Sequence, residues 1–208
     1  MGEAVVTFSI LTVCTGNVCR SPVAELQLSA ALRNIPEVLV ASAGSHALVG
    51  SGVPPTTLTM GREYGLDASE HRARQLTEDQ IREADLILAM ARDHRRAIVE
   101  AVPGAVRRTF TLRELARIAD LTRGGGFDQI DADAPPLDIS SSMRAAVARA
   151  AALRGSVGPV EDQRELDVTD PFGRSDDTYR RSFAQLIPAV ASVAFFLTEA
   201  MRDVTARR

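Results

Sequence analysis

The chain of 208 residues has no tryptophan, no lysine, two cysteines, three histidines and few aromatics, and each scarcity excludes something. Two cysteines, Cys14 and Cys19, cannot build a disulfide scaffold or a four-thiolate zinc site, so a reducing cytoplasm is expected and a catalytic thiol becomes a candidate. His46, His71 and His94 are scattered, which leaves no dense metal-ligand cluster; neither a metal nor an organic cofactor is expected. The longest apolar run, Leu186 to Leu197, holds Pro188 and is too short for a bilayer. The amino end lacks a basic region ahead of an apolar stretch, so no membrane span or secretion signal is expected. All 24 basic residues are arginine, scattered among 27 acidic ones for a net charge of −3, which argues against a nucleic-acid partner. An arginine-only basic complement reads as the mark of a GC-rich genome rather than of a selected chemistry. What remains, 45% hydrophobic and 25% charged, is enough to bury a core without help.

Strand and helix signals alternate along the chain. Val5 to Val13 reads as a buried strand ending in the turn-like Cys14-Thr15-Gly16-Asn17, and a helix entered through Ser21-Pro22 runs to about Arg33. Val38 to Ser42 is a second strand, residues 55–65 a helix stopped by Gly65, and 77–83 a short helix entered through Thr77. Asp85 to Met90 is a third strand, 92–101 a helix, and Arg107 to Thr111 a short fourth strand. Tyr179, Phe183, Leu186, Val190, Leu197 and Met201 lay out one apolar face of a last helix that starts after Asp176-Asp177 and contains Pro188. The expected architecture is a three-layer α/β/α domain over 1–208 with a four-stranded parallel sheet. Residues 122–166 carry few large apolar side chains and read as a partly helical insertion: glycines at 124–126, acids and prolines to Pro136, then a helix capped by Ser140 to Ser142. Its tether near Asp170 reads either as a rim or lid over a cleft or as a tolerated surface excursion.

The loop after the first strand carries the chemistry. A cysteine at a strand end, a glycine-containing loop and a helix start gather backbone N–H groups around one point, with the positive end of a helix dipole behind them. The same field favours a thiolate. Arg20 can offer two parallel donors to phosphate oxygens, and Ser21 can donate its hydroxyl to sulfur.

This loop, Cys14-Thr15-Gly16-Asn17-Val18-Cys19-Arg20-Ser21, followed by Pro22 and Ala24-Glu25, resembles the phosphate-binding signature of the low-molecular-weight protein tyrosine phosphatases. Further matches are Ser42-Ala43-Gly44, the stretch from Ser69 through His71 to Leu76, Ala84 to Met90, and Asp170-Pro171-Phe172. The resemblance covers residues 5–113 and 168 to about 200. It implies a cysteine-dependent hydrolase of phosphomonoesters on proteins, binding phosphate or similar oxyanions. Cys14 would be the nucleophile, Arg20 and the loop N–H groups the phosphate holders, and Asp170 the general acid. Asn17, Ser42 and His71 would hold the loop in shape, and Leu48 and Phe172 would line the substrate pocket. Cys19 reads either as a resolving thiol or as a small packed residue.

The pattern also departs from the family. Gly173 follows Phe172 where a second aromatic is common, and Ala91 replaces an aspartate common after Met90. The Asp-Pro-Phe-Gly form is similar to protein arginine phosphatases, but those carry threonine where this chain has Val18, which cannot hydrogen-bond a guanidinium. Phosphotyrosine is therefore expected over phosphoarginine. A thiol-dependent arsenate reductase relaying electrons through extra cysteines needs more thiols than two; a version using an external small thiol stays open, with Asp170 arguing against it. A non-catalytic phosphoprotein-binding module has no need of both Cys14 and Asp170.

Overall fold

The computed structural model describes residues 7–123 and 138–205, with side chains described as far as Met201. Strands β1 (Phe8–Cys14), β2 (Val38–Gly44), β3 (Leu86–Ala89) and β4 (Thr109–Thr111) form one parallel sheet in the order β2-β1-β3-β4. Residues 5 and 6 of the expected first strand, and the glycine- and proline-rich stretch 124–137, lie outside the described residues.

Both faces of the sheet are covered, and the two-residue period of the strands sorts the side chains between them. Phe8, Ile10, Leu86 and Leu88 join the larger core with α1 (Arg20–Ala31), α2 (Pro55–Glu63), α5 (Leu112–Thr122), α6 (Ile139–Ala152) and α7 (Asp176–Thr205). Leu11, Val13, Ile87 and Ala89 meet α3 (Glu78–Glu83) and α4 (Arg92–Ala101) on the other face. Strands buried on both sides read as near-continuous apolar runs, which is why these segments were visible in the sequence. Cys14 keeps the parity of Phe8 and Ile10, so its side chain falls on the α1 side. By length and composition Asp176–Met201 could cross a membrane, but more than half of it is buried in the larger core, where Tyr179, Phe183, Leu186, Val190 and Leu197 pack. Pro188 lies inside this helix.

Three expectations change. Helix α5 occupies a stretch to which no element was assigned; Thr111 caps it and Glu114 completes a capping box, a signal present in the sequence. The fourth strand is shorter than expected because Pro103–Arg108 form a 3-10 segment. Helix α6 starts earlier than the alanine run and is capped by Asp138, not Ser140 to Ser142. It is a core helix, not a rim or lid: Met143, Ala146, Val147 and Ala150 are buried against the larger core. Its Arg144 reaches Asp85 (2.7 Å) and the Thr7 carbonyl (2.6 Å), at the edge of the sheet where the strands begin, opposite Cys14. Small side chains on α6 are what allow it to lie close, a use of alanine that composition alone does not reveal.

Candidate active site

Cys14 ends the central strand, and residues 15–19 bridge it to α1, which starts at Arg20. The shape of this loop follows from where its carbonyls go. The carbonyls of Cys14, Thr15 and Gly16 accept from the N–H groups of Ser45, His46 and Leu48 (2.9, 3.0 and 3.0 Å), and that of Asn17 accepts from His71 Nε2 (2.7 Å). Because the C=O and the next N–H of a peptide unit point in opposite directions, turning four carbonyls outward turns the following N–H groups inward. The N–H groups of residues 15–20 have no acceptor among the described residues. Arg20 Nε is likewise buried without a partner. Unpartnered loop N–H groups beside a buried guanidinium N–H are rare unless an acceptor is meant to arrive, and a tetrahedral oxyanion is the acceptor that matches a ring of them.

The turn needs two special backbones. Asn17 sits at φ 54°, the left-handed region that asparagine tolerates. Its buried side chain donates to Ser21 Oγ (3.0 Å) and Ser42 Oγ (2.8 Å) and accepts from the Arg74 N–H (2.8 Å). Ser42 Oγ in turn donates to Glu25. Gly44 lies under the loop, where an added Cβ would stand 2.5 Å from the Thr15 carbonyl oxygen, so only glycine fits. Ser21 Oγ lies 3.0 Å from Cys14 Sγ. Asn17 donates to that oxygen, so the hydroxyl's one proton goes to the sulfur or to the Ala43 carbonyl, 3.4 Å away.

Asp170 stands across the mouth, its carboxylate 2.6 Å from Arg20 Nη2 and about half exposed. Arg20 Nη1 also donates to the Val168 carbonyl (3.2 Å). The cavity between them is lined by Cys14, Thr15, Gly16, Val18, Cys19, Arg20, His46, Leu48, Asp170 and Phe172. The expected pocket residues Leu48 and Phe172 are both there; Ser42 and His71 stand behind the loop. Cys14 and Cys19 are free and buried. Burial pushes the Cys19 thiol up, and Tyr179, whose hydroxyl lies 3.9 Å away, is pushed up to about 12, first by burial and then by Cys19.

Four residues escaped the sequence reading. His46 lines the pocket. His94, on the first turn of α4, holds Thr15 Oγ1 at 2.9 Å. Burial first, then the Arg20 charge, pushes its pKa down to about 4, so the ring is neutral at ordinary pH. Asp167, close to Asp170 in the chain, pairs with Arg92 (2.9 Å). A lone histidine and a salt bridge spanning 75 residues leave no local signal; only the turn chemistry of Asp167 three positions before Asp170 could have drawn attention.

A buried cysteine ringed by loop N–H groups, with an arginine below and a carboxylate opposite, is the arrangement that a cysteine-dependent phosphatase requires. The sequence model of the family described as low molecular weight phosphotyrosine protein phosphatase matches residues 9–122, more than half of the chain. A probable low molecular weight protein-tyrosine-phosphatase, EpsP of Ralstonia solanacearum, is 39% identical over 127 residues, 61% of this chain and 77% of that protein. The phosphatase Wzb of Escherichia coli K12 is 44% identical over 95 residues, 46% of this chain and 63% of that protein. Among solved structures, the YwlE arginine phosphatase of Geobacillus stearothermophilus superposes with a TM-score of 0.65 at 28% identity, covering 94% of this chain and 96% of that one. The tyrosine phosphatase AmsI of Erwinia amylovora gives 0.62 at 27%, covering 90% and 91%. The chain belongs to the low-molecular-weight protein tyrosine phosphatase family, and the activity its curated relatives are named for is phosphoric monoester hydrolysis.

Proposed function

We propose that the protein removes phosphate from phosphotyrosine in protein substrates, in the bacterial cytoplasm, through a phosphocysteine intermediate. The observation that carries this reading is the ring of unpartnered N–H groups around Cys14, with Arg20 at its base and Asp170 at its mouth. The phosphate oxygens take the N–H groups of residues 15–20 and the Arg20 guanidinium. The dianion thereby competes with Asp170 for Arg20, which leaves that carboxyl facing the leaving oxygen. Cys14 Sγ attacks phosphorus in line, the bond to the tyrosyl oxygen breaks, and Asp170 gives that oxygen its proton. Water then attacks the phosphocysteine, Asp170 takes one of its protons, and the S–P bond breaks with the electron pair going to Cys14 Sγ as inorganic phosphate is released. Ser21 Oγ, 3.0 Å from the sulfur, stabilises Cys14 as the leaving group of this second step.

Val18, Leu48 and Phe172 make the walls apolar, which suits an aryl ring. The arginine phosphatase neighbours support a second reading, hydrolysis of phosphoarginine. The buried, apolar Val18 weighs against it, because a guanidinium held there would leave its N–H groups unpaired. The free cysteines support a reducing, cytoplasmic setting, and relatives such as those of Ralstonia solanacearum and Escherichia coli support a bacterial one. A steady-state assay with phosphotyrosine and phosphoarginine peptides tests the whole reading. Turnover of phosphotyrosine is expected, abolished by Cys14→Ser and slowed about 100-fold or more by Asp170→Asn. Preferred turnover of phosphoarginine would overturn the substrate assignment, and no turnover of either the activity.

A further inference from the structure

Helix α4 opens on Ala91-Arg92-Asp93-His94, and its first turn stands between the nucleophile loop and the acid. Ala91 is the N-cap and offers no side-chain acceptor to the first N–H groups of the helix. The acceptor comes from the far end of the chain: the Arg92 N–H donates to Asp167 Oδ1 at 2.8 Å. The Arg92 side chain closes on the same carboxylate, with Nε 3.2 Å from both oxygens and Nη2 2.9 Å from Oδ2. One carboxylate thus caps a helix and fills a guanidinium fork, an arrangement far more directional than an ordinary surface ion pair. Arg113 of α5 donates to the Asp167 carbonyl (3.2 Å), the Val168 N–H donates to the Met90 carbonyl (2.8 Å), and the Thr169 N–H to Gln185 of α7 (2.8 Å).

These anchors stop one residue short of Asp170. The Asp170 carboxylate itself is half exposed and bonds, among the described residues, only to Arg20 and to the Phe172 N–H (3.2 Å). Its location is therefore set by the backbone of 167–169 and not by packing of its own side chain. The same turn of α4 presents His94 to Thr15, so the nucleophile loop and the acid segment are mounted on one element.

We infer that Arg92 and Asp167 are positioning residues for the general acid, a clasp that fixes the height of Asp170 above the leaving oxygen. The inference rests on the reading of Asp170 as the acid. A clasp that served only as a helix cap would change stability alone. A positioning clasp changes proton delivery, and so bears hardest on substrates whose leaving group needs the proton.

The test compares kcat/KM for phenyl phosphate, a poor leaving group, with para-nitrophenyl phosphate, a good one, and follows inhibition by inorganic phosphate as a readout of the cradle. Asp170→Asn should slow phenyl phosphate far more than the nitrophenyl ester. Arg92→Met and Asp167→Asn should show the same selectivity, with a loss of about 10- to 100-fold on phenyl phosphate, much less on the nitrophenyl ester, and unchanged phosphate inhibition. Arg92→Lys, which keeps the charge without the fork, should recover part of the loss. Adding Arg92→Met to Asp170→Asn should lower the phenyl phosphate rate no further, because the two act through one proton. Arg96→Met, on the exposed face of the same helix, should behave as wild type. Equal slowing of both esters by Arg92→Met, or a full additional loss in the double variant, overturns the inference. If Asp170→Asn itself shows no leaving-group selectivity, the acid assignment fails and the clasp with it; a selective Asp170→Asn beside an unselective Arg92→Met overturns the clasp alone.

Discussion

Lowering the pH charges a histidine that the fold keeps neutral, and the resulting loss of stability can be worked from the structure. The ring of His94 is 7% exposed. Burial, followed by the nearby Arg20 charge, pushes its pKa down to about 4, while Asp170, Asp93 and Asp167 pull weakly the other way. In the unfolded chain the group keeps its ordinary value of 6.5. Between those two values the unfolded chain holds more protons than the folded one, so stability falls as pH falls from about 6.5 to about 4 and levels off on either side. At about 1.4 kcal/mol per pKa unit, the loss attributable to this one group is about 2 kcal/mol at pH 5 relative to pH 7. In a chain of this size that corresponds to about 4–8 °C in Tm. The assay is thermal unfolding of wild type and His94→Gln at both pH values. Glutamine retains a polar atom for Thr15 but cannot titrate, so the difference between the two proteins removes the contribution of every other carboxylate and histidine. The variant's fall in stability between pH 7 and pH 5 should be smaller than the wild type's by about 2 kcal/mol. Equal falls would refute the buried neutral ring and, with it, the account of how Thr15 is held.

Gly44→Ala forces a Cβ to within 2.5 Å of the Thr15 carbonyl, so the loop must shift; a destabilisation of about 1–3 kcal/mol in denaturant unfolding and weaker inhibition by inorganic phosphate are expected. Met143→Ala empties a fully buried position on α6 and should cost about 2–5 kcal/mol while leaving kcat/KM unchanged, whereas a near-neutral effect on stability would show that α6 is not part of the core. Val18→Thr places a hydroxyl in the pocket wall at nearly constant volume and should raise the ratio of phosphoarginine to phosphotyrosine turnover, measured on matched peptides; an unchanged ratio would remove Val18 as a determinant of substrate choice.

The parts of the protein that its sequence determined by itself are those whose physics is local. Apolar runs of strand length alternating with amphipathic helices dictate a parallel sheet covered on both faces. A cysteine, a glycine-containing loop, an arginine and a helix start within eight residues mark where an anion cradle stands, although Ser45, Leu48 and His71 are needed to turn its carbonyls outward. The capping box at Thr111 was equally local, and the helix it starts could have been read the same way. Other features depended on residues far apart in the chain. That α6 is core and not lid depends on Met143, Ala146 and Val147 meeting α7, and on Arg144 finding Asp85 across 59 positions. That Ala91, unable to cap α4, is served by Asp167 depends on a contact across 75 positions, and the neutral state of His94 on burial beside Arg20. Hydrogen bonds and desolvation act through space, so only the folded chain decides which distant groups meet and which charges survive being buried.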